Sequence, residues 1–450
     1  MQKVVVIGAN HAGTAVLNTI ADNSDDFEIF AFDSNSNCSF LGCGIALWVG
    51  GKIADPQSLF YSSPEILRSK GIDIKMEHEV KSIDFTKKTV KVQDLKTKKE
   101  FEQSYDKLVL SCGSLPISPS FGGTSTKDWD NAMNVKTYQN GQRIIELFNE
   151  DGNDKVAIIG AGYIGIELVE AALSYGKEVV LVDSASRILE KYYDPEFTTK
   201  MTDILVNEGV ILELNQRVEK ILGENRLLTG LKTDKKEIDV DFGIFCIGAR
   251  PNTSWLKDSG LEILANGAIK VNEHQQTSIP DVYAVGDCAT VKNSASGKTE
   301  NIELASNAVR SGMVAGYNII GDTSAAFDHV EGSNAICIAG YNMVSTGLNE
   351  SAAEALGISV SSSYTEGPQK LGFMNDDHNV QIKVIYNTET RVILGAQMAS
   401  TYDISMGIHM FSLAIAKKVK IDELKFMDLF FLPHFNSPFN YINEVALKAK

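Results

Sequence analysis

The 450-residue sequence predicts an α/β fold in which two similar strand–turn–helix units are followed by a C-terminal α+β region. Two glycine-rich turns, about one domain apart, carry this prediction. One begins at Gly8 and the other at Gly160, and each follows an apolar run that is typical of a buried parallel strand. Such a turn lets backbone amides approach a pyrophosphate at the N-terminus of a helix. The two units therefore indicate two Rossmann-like dinucleotide-binding domains.

The second turn has the complete glycine pattern. Its three glycines follow the apolar run 156–159 and open a helical pattern, and a second apolar run ends in Asp183. An acidic side chain at this position suits the two ribose hydroxyls of adenosine and repels a 2′-phosphate. This unit therefore predicts an NAD(H) site that prefers NADH to NADPH. The residues assigned to it are Gly160, Gly162, Tyr163, Ile164, Gly165 and Asp183.

The first turn departs from the pattern because Asn10 replaces the middle glycine. Two further segments support a second dinucleotide there, most economically FAD. The short apolar strand before Gly286 delivers Asp287, whose carboxylate suits ribityl hydroxyls, and the strand 105–110 also ends in a glycine turn. The residues assigned to the FAD site are Gly8, Ala9, Asn10, His11, Ala12, Gly13, Asp33, Cys43, Ser111, Cys112, Gly113, Ser114 and Asp287.

Composition excludes several classes of function. The net charge of −16 argues against a nucleic-acid partner and against an anionic membrane surface. No long apolar run predicts a membrane span, and Met1 leads almost directly into a core strand, so we expect no signal peptide and a cytoplasmic protein. Neither the six cysteines nor the seven histidines have metal-ligand spacing, so no metal site is predicted.

Changes of pattern along the chain predict the domain boundaries. The stretch 116–130 is rich in Ser, Gly, Thr and Pro and is interpreted as a linker. From about residue 326 an alternating strand, an apolar strand and a helical pattern follow one another. We therefore predict an FAD domain at 1–118 and 247–325, an NAD(H) domain at 119–246 and a C-terminal domain at 326–450.

Cys43 is the candidate reactive thiol. It lies between Gly42 and Gly44, which permit close approach of a cofactor, and precedes an apolar segment that can be helical. Amides at a helix N-terminus would then stabilise a thiolate. Cys38 lies five residues earlier, so the pair also has the C-x-x-x-x-C spacing of a redox disulfide. The residues alone leave both arrangements open.

Six segments carry a family resemblance over nearly the whole chain. They are 8–14 (Gly-Ala-Asn-His-Ala-Gly-Thr), 39–44 (Ser-Phe-Leu-Gly-Cys-Gly), 59–62 (Leu-Phe-Tyr-Ser), 250–253 (Arg-Pro-Asn-Thr), 304–308 (Leu-Ala-Ser-Asn-Ala) and 429–435 (Leu-Phe-Phe-Leu-Pro-His-Phe). The sequence resembles the NADH oxidase and NADH peroxidase branch of the pyridine nucleotide-disulfide oxidoreductases. It is most similar to the water-forming NADH oxidases of low-GC bacteria.

The resemblance implies catalytic roles for Cys43 and His11. The matching cysteine cycles between thiolate and sulfenic acid beside the flavin, and the matching histidine lies near it. Enzymes with the redox disulfide carry a different glycine-rich signature, and relatives with a single cysteine usually lack a thiol at the position of Cys38. We therefore predict that Cys38 has no catalytic role, with a transient disulfide as the alternative.

The resemblance also implies a homodimer, in which the C-terminal domain forms the interface and the partner's C-terminal segment helps to close the flavin pocket. On this basis Leu304, Ala305 and Phe431 are assigned to FAD. Glu303 is assigned to the NAD(H) side, although relatives often have a small residue there. The remaining residues assigned to NAD(H) are Tyr192, Gly248 and Gly332.

The predicted function is that of an FAD-dependent NADH oxidase that reduces O2 to water. Peroxidases of the family tend to have Arg where this chain has Val309, whereas oxidases tend to have Val. The alternatives within the enzyme class are an NADH peroxidase, a peroxide-forming oxidase and a coenzyme A-disulfide reductase. A non-turnover flavoprotein that senses NADH or redox state is the alternative of another class.

Overall fold

A computed structural model describes residues 1–375 and 378–450 of the chain. The first unit contains a five-stranded parallel sheet covered on one face by two long helices. In spatial order the strands are Val282–Ala284, Lys107–Leu110, Gln2–Ile7, Phe27–Asp33 and Asp73–Met76. The two helices are His11–Asn23 and Ala305–Ile319. They cross closely because Gly312 has no side chain: a Cβ there would lie 2.4 Å from the carbonyl oxygen of Ala12.

The second unit repeats this arrangement. Its parallel strands, in spatial order, are Ile211–Glu213, Glu178–Val182, Lys155–Ile159, Phe242–Phe245 and Ala132–Asn134. Its helices are Tyr138–Asn149, Tyr163–Ser174 and Pro195–Asn207. Each unit also carries an antiparallel three-stranded sheet. These sheets are His78–Asp84, Thr89–Asp94 and Glu100–Ser104 in the first unit, and Val218–Glu224, Leu227–Thr233 and Glu237–Asp239 in the second.

Two short antiparallel strands join the units. Ser114–Pro116 leaves the first unit and Ala249–Pro251 returns to it, and the two strands pair with each other. The strand Val282–Ala284 then completes the edge of the first sheet, next to Lys107–Leu110. The chain therefore crosses between the units at one place, and the cleft between the units opens beside this crossing. The shorter elements are the helices Ile45–Val49 and Pro64–Ser69 and the strand pair Val291–Lys292 and Thr299–Glu300.

The C-terminal region is an antiparallel five-stranded sheet with helices. In spatial order its strands are Asn334–Ile338, Tyr341–Gly347, Ile393–Ser400, Asn379–Asn387 and Val360–Pro368. Its helices are Glu350–Ala355, Ile408–Ala416 and Tyr441–Leu447. Two parallel α/β units followed by this α+β region confirm the predicted fold class. The residue boundaries of the three domains stay a prediction.

The strand Asn379–Asn387 differs from its sequence pattern. Its alternating polar residues predict one solvated face, yet nearly every side chain in it is buried. One face packs on the apolar core of the C-terminal region, and the other turns Gln381 and Lys383 towards the second unit. The polar residues of this strand therefore form contacts between domains.

Lys383 is the centre of these contacts. Its side chain is 2% exposed, and its Nζ lies 2.8 Å from Glu196, 3.0 Å from Glu350 and 3.3 Å from the buried carboxylate of Asp194. Burial alone would lower the pKa of Lys383, but the surrounding carboxylates raise the pKa above its ordinary value. Gln397 also donates to the Asp194 carboxylate, at 2.8 Å. Because Asp194 and Glu196 belong to the second unit, this cluster holds the C-terminal region against it.

No helix within the described ranges combines the length and the apolar character that crossing a bilayer requires.

Replacing Lys383 with Met is predicted to destabilise the protein by about 3 to 5 kcal/mol, because Asp194 would stay buried without its cation. Urea unfolding followed by circular dichroism measures the change. Lys200→Met is the matched control, since Lys200 pairs with Glu366 across the same two regions but is 42% exposed. Its effect should stay below about 1 kcal/mol. Equal decreases in the free energy of unfolding of the two variants would show that the buried cluster contributes no more to stability than an exposed ion pair.

Candidate active site

One continuous cleft of about 2440 Å³ runs between the two parallel-sheet units. It extends from the first glycine turn to the second, and residues of the C-terminal region line part of it. The predicted site residues that line it are Gly8, Asn10, His11, Ala12, Asp33, Cys43, Ser111, Cys112, Gly113, Ser114, Asp287, Leu304 and Ala305 from the FAD set, and Gly160, Gly162, Tyr163, Ile164, Asp183, Tyr192, Gly248, Glu303 and Gly332 from the NAD(H) set. Four predicted residues, Ala9, Gly13, Gly165 and Phe431, are not among its lining residues.

Close backbone contacts explain the glycines of the first turn. Gly8 has a φ of +94°, and a Cβ on Gly13 would lie 1.9 Å from the carbonyl oxygen of Gly8. Gly13 therefore shapes the turn from inside without lining the cleft. Asn10 is the N-cap of the helix His11–Asn23, and its side chain makes no capping hydrogen bond. The first amides of this helix thus remain available to an anion in the cleft.

The second turn has the same construction. Gly160 has a φ of +109°, and a Cβ on Gly165 would lie 1.8 Å from the carbonyl oxygen of Gly160. A Cβ on Gly162 would meet no atom within 4 Å, so the missing side chain leaves open space at the start of the helix Tyr163–Ser174. This is the space that a pyrophosphate needs to approach the helix amides.

The acidic residue after each turn is held in the same way in both units. Asp33 accepts a hydrogen bond from the N–H of Ala9 at 2.7 Å, and Asp183 accepts one from the N–H of Ala161 at 2.5 Å. In each case the other carboxylate oxygen accepts the N–H two residues further along the chain. Ala9 therefore orients Asp33 from behind the cleft surface. The residues present fit two dinucleotides, one at each turn.

Cys43 lies in the cleft, in the short turn Gly42–Gly44. The helix that follows, Ile45–Val49, has only five residues. Burial, followed by the nearby carboxylate of Glu167, raises the pKa of the Cys43 thiol. This direction opposes the expected effect of the helix amides, and the stabilised thiolate stays a prediction.

The structure separates Cys38 from Cys43. Both thiols are free. Cys38 is buried in the apolar core under the first sheet and is not among the residues that line the cleft. Burial raises the pKa of Cys38 as well. The position of Cys38 is that of a core residue, whereas Cys43 faces the space where ligands bind.

His11 is held in a defined orientation at the first helix N-terminus. Its Nδ1 lies 3.2 Å from the hydroxyl of Tyr61, and the two rings are stacked with centroids 5.7 Å apart. Burial lowers the pKa of His11, with the carboxylate of Asp287 opposing this effect and Lys136 adding to it. The imidazole is therefore neutral at neutral pH and can accept a proton or donate one hydrogen bond.

Lys136 is a cleft residue that the sequence did not single out. Its Nζ donates to Ser114 Oγ at 2.5 Å and lies 3.3 Å from Asp287 Oδ2. Ser114 Oγ in turn donates to Asp287 Oδ2 at 2.7 Å. Lys136 comes from the second unit and Asp287 from the first, so only the tertiary fold brings them together.

Glu167 is a second such residue. It lies one turn after Tyr163 on the helix of the second glycine turn, and it lines the cleft. Burial and the neighbouring Glu170 raise the pKa of Glu167 to about 7. Its position four residues after Tyr163 is a signal that sequence reasoning could have used, because residues four apart share a helix face.

Phe431 lies outside the cleft on an exposed segment. It is 46% exposed, within a C-terminal stretch that presents several large apolar side chains to solvent. These are Phe426, Phe430, Phe431, Leu432, Phe435 and Phe439. The assignment of Phe431 to FAD stays a prediction, one that requires the segment to act on a partner subunit.

Among the described residues, no group of three or more His, Cys, Asp or Glu side chains is placed to hold a metal ion.

Comparison with protein families agrees with this architecture. The family model described as pyridine nucleotide-disulphide oxidoreductase matches residues 2–312. The model for the dimerisation domain of the same family matches residues 334–441. The chain belongs to the pyridine nucleotide-disulphide oxidoreductases. This family is FAD-dependent and uses NAD(H), which confirms the two predicted cofactors and the oxidoreductase class.

Individual relatives match over their full length. NADH oxidases of Streptococcus pneumoniae and of Lactococcus lactis subsp. cremoris are each 47% identical to this chain, with 100% of both proteins covered. The structure of a water-forming NADH oxidase from Lactobacillus brevis bound to NADH is similar with a TM-score of 0.95 and 37% identity. That match covers 99% of this chain and 98% of the other.

Replacing Asp183 with Ala is predicted to narrow the preference for NADH over NADPH. The carboxylate would no longer bind the ribose hydroxyls or repel a 2′-phosphate, so kcat/KM for NADH should fall roughly tenfold, as expected for one lost charged hydrogen bond. Steady-state kinetics with both nucleotides measure the ratio. Asp203→Ala, on an exposed position of the helix Pro195–Asn207, is the control with the same charge change. Equal use of NADPH by the unmodified protein would contradict this role of Asp183.

Proposed function

We propose that this chain is a cytoplasmic FAD-dependent NADH oxidase that reduces O2 to water, with Cys43 as its redox thiol. The observation that carries the proposal is the position of Cys43 in the cleft. The same cleft contains two glycine turns, and the acidic residue that follows each turn is held by the same hydrogen bonds. The similarity to a water-forming NADH oxidase over nearly the whole chain supports the reaction.

The chain's own residues would divide the two cofactors between the turns. The first turn and Asp33 would hold FAD, and Asp287 would bind its ribityl hydroxyls. The second turn and Asp183 would hold NADH. Cys43 lines the same cleft as both turns, so a thiol would be available to the cofactors that these turns would hold. When bound, FAD takes hydride from NADH and passes electrons to O2.

Cys43 would complete the reduction of oxygen beyond peroxide. Its thiolate attacks one oxygen of hydrogen peroxide, the O–O bond breaks, and with one proton the products are the Cys43 sulfenic acid and water. Two electrons and a proton that originate from a second NADH would then return the Cys43 sulfenic acid to the thiolate and release a second water. Each O2 thus consumes two NADH and two protons.

The residues around Cys43 would control its protonation. Because burial raises the pKa of the thiol, Cys43 needs a proton acceptor in the same cleft. His11 is neutral and lines the cleft. With its proton on Nδ1 and donated to Tyr61, His11 presents Nε2 as the acceptor.

A homodimer would complete this enzyme. The exposed apolar segment 426–439 lies between the helices Ile408–Ala416 and Tyr441–Leu447, and such a concentration of exposed aromatic side chains marks an interaction surface. The match of residues 334–441 to a dimerisation domain supports a second copy of this chain as the partner. Phe431 would then approach the FAD site of the partner subunit.

Replacing Cys43 with Ser is predicted to change the product from water to hydrogen peroxide. The variant should bind FAD and oxidise NADH, because hydride transfer does not require the thiol. The ratio of NADH consumed to O2 consumed should fall from about two to about one, since the sulfenic acid step is lost. An oxygen electrode, NADH absorbance and a peroxide assay measure the three quantities together.

Cys38→Ser is the matched control, because it removes the neighbouring thiol from the apolar core and not from the cleft. In this variant the ratio of NADH consumed to O2 consumed should stay at about two, and no peroxide should be released. Peroxide release by Cys38→Ser would favour a disulfide mechanism for the pair. Water as the sole product of Cys43→Ser would exclude the thiol from peroxide reduction.

A further inference from the structure

Glu303 has a setting that the proposed reaction does not use. It lines the cleft, immediately before Leu304, which is the N-cap of the helix Ala305–Ile319. Ser114, Asp287 and Lys136 line the same cleft, and the hydroxyl of Ser114 donates to Asp287 Oδ2 and accepts from Lys136 Nζ. Glu303 therefore adds a second carboxyl group to a part of the cleft that already holds Asp287.

The charges around Glu303 are unequal. Lys136 is the cation that faces both carboxyl groups, and it already forms an ion pair with Asp287 at 3.3 Å. From the second unit, Tyr192 faces Glu303 as a neutral phenol whose pKa is itself raised by burial and by Glu303. Burial and the Asp287 carboxylate together raise the pKa of Glu303 to about 7. Ionised Glu303 would place a second negative charge on a site with one lysine.

The two glycine turns and their acidic partners line the same cleft as Asp287, Ser114 and Glu303. Two cofactors that exchange hydride in this cleft would bring their redox-active ends together within it. Two-electron reduction of a group bound there increases the negative charge of the site, and this favours the protonated form of any carboxyl group close by.

We propose that Glu303 is the residue that takes up a proton when the bound flavin is reduced, so that its carboxyl group compensates the added charge. Oxidised enzyme with Glu303 ionised accepts two electrons, and Glu303 binds one proton from solvent. Reoxidation by O2 reverses the change and releases that proton within the cleft, where the reduction of oxygen consumes protons. This role rests on the proposed function only in requiring FAD in the cleft.

The uptake has a defined pH range. Below about pH 6 Glu303 is already protonated in the oxidised enzyme, so reduction adds no further proton to it. From about pH 7 upwards it is ionised before reduction and gains a proton on reduction, until the pH exceeds the higher pKa of the reduced state. Each proton taken up with two electrons makes the midpoint potential fall by about 30 mV for each pH unit.

The test compares midpoint potentials of FAD-loaded protein from pH 5.5 to 8.5 without turnover. Against Glu303→Gln, the unmodified protein should show a steeper slope above about pH 7, by up to about 30 mV for each pH unit, and the two curves should converge below pH 6. Protons required by the flavin itself are common to both proteins and cancel in the difference. Glu303→Ala is the second variant, which removes the whole carboxyl group, and should give the same curve as Glu303→Gln.

Two controls make the outcome specific. Glu300→Gln removes the same charge three residues earlier, outside the cleft, and should keep the slope of the unmodified protein. Glu167→Gln removes the other cleft carboxyl group with a pKa of about 7. A flattened slope in Glu167→Gln and not in the Glu303 variants would overturn the assignment, as would parallel curves for unmodified protein and Glu303→Gln at every pH.

The oxidase assay separates this inference from the proposed function. If the unmodified protein and Glu303→Gln have the same slope while the unmodified protein consumes two NADH for each O2, the role of Glu303 is rejected and the oxidase reaction is retained. A preserved slope difference in a protein that does not consume O2 would reject the oxidase reaction and leave proton uptake by Glu303 standing.

Discussion

The architecture depends on a backbone contact that occurs twice. In each parallel-sheet unit a helix begins so close to the preceding strand that a Cβ on Gly13 or Gly165 would lie within 2 Å of a carbonyl oxygen. This contact sets the direction of the helix and leaves its first amides free of side chains. It also places the N–H of Ala9 or Ala161 where the acidic residue at the end of the next strand can accept it. Two cradles of the same geometry follow from one local constraint, and the crossing strands Ser114–Pro116 and Ala249–Pro251 place them along a common cleft.

Several titratable side chains that line the cleft have raised pKa values. The pKa of Cys43 rises, and those of Glu167 and Glu303 rise to about 7, with burial as the first cause in each case. Lys136 offsets only part of the charge of these carboxyl groups because it pairs with Asp287. At neutral pH the raised pKa of Cys43 favours the protonated thiol, and the carboxyl groups of Glu167 and Glu303 are each about half ionised. Groups in that state respond to charge that arrives with a ligand or an electron pair.

The C-terminal region is held by a different kind of interaction. The apolar core of its sheet is its own, but its contact with the second unit passes through Lys383 and the carboxylates around it. Buried charges in such a contact contribute geometric definition more than net stability, since their desolvation offsets much of their attraction. The cluster therefore orients the C-terminal sheet. The segment with Phe430 and Phe431 extends from this region with its aromatic side chains in solvent.

The sequence alone predicted the fold class, the two turns with their acidic partners, and Cys43 as the candidate thiol. These features depend on short stretches in which glycine, an apolar run and one carboxylate have fixed spacing, so local backbone physics suffices to recognise them. The tertiary structure alone decided what depends on distant segments. Lys136 meets Asp287 across 151 positions of the chain, and Cys38 enters the core although it lies five residues from Cys43. The raised pKa values of Cys43 and Glu303 likewise depend on charged groups from distant segments. Desolvation and charge proximity are properties of a packed cleft, and no local pattern of residues encodes them.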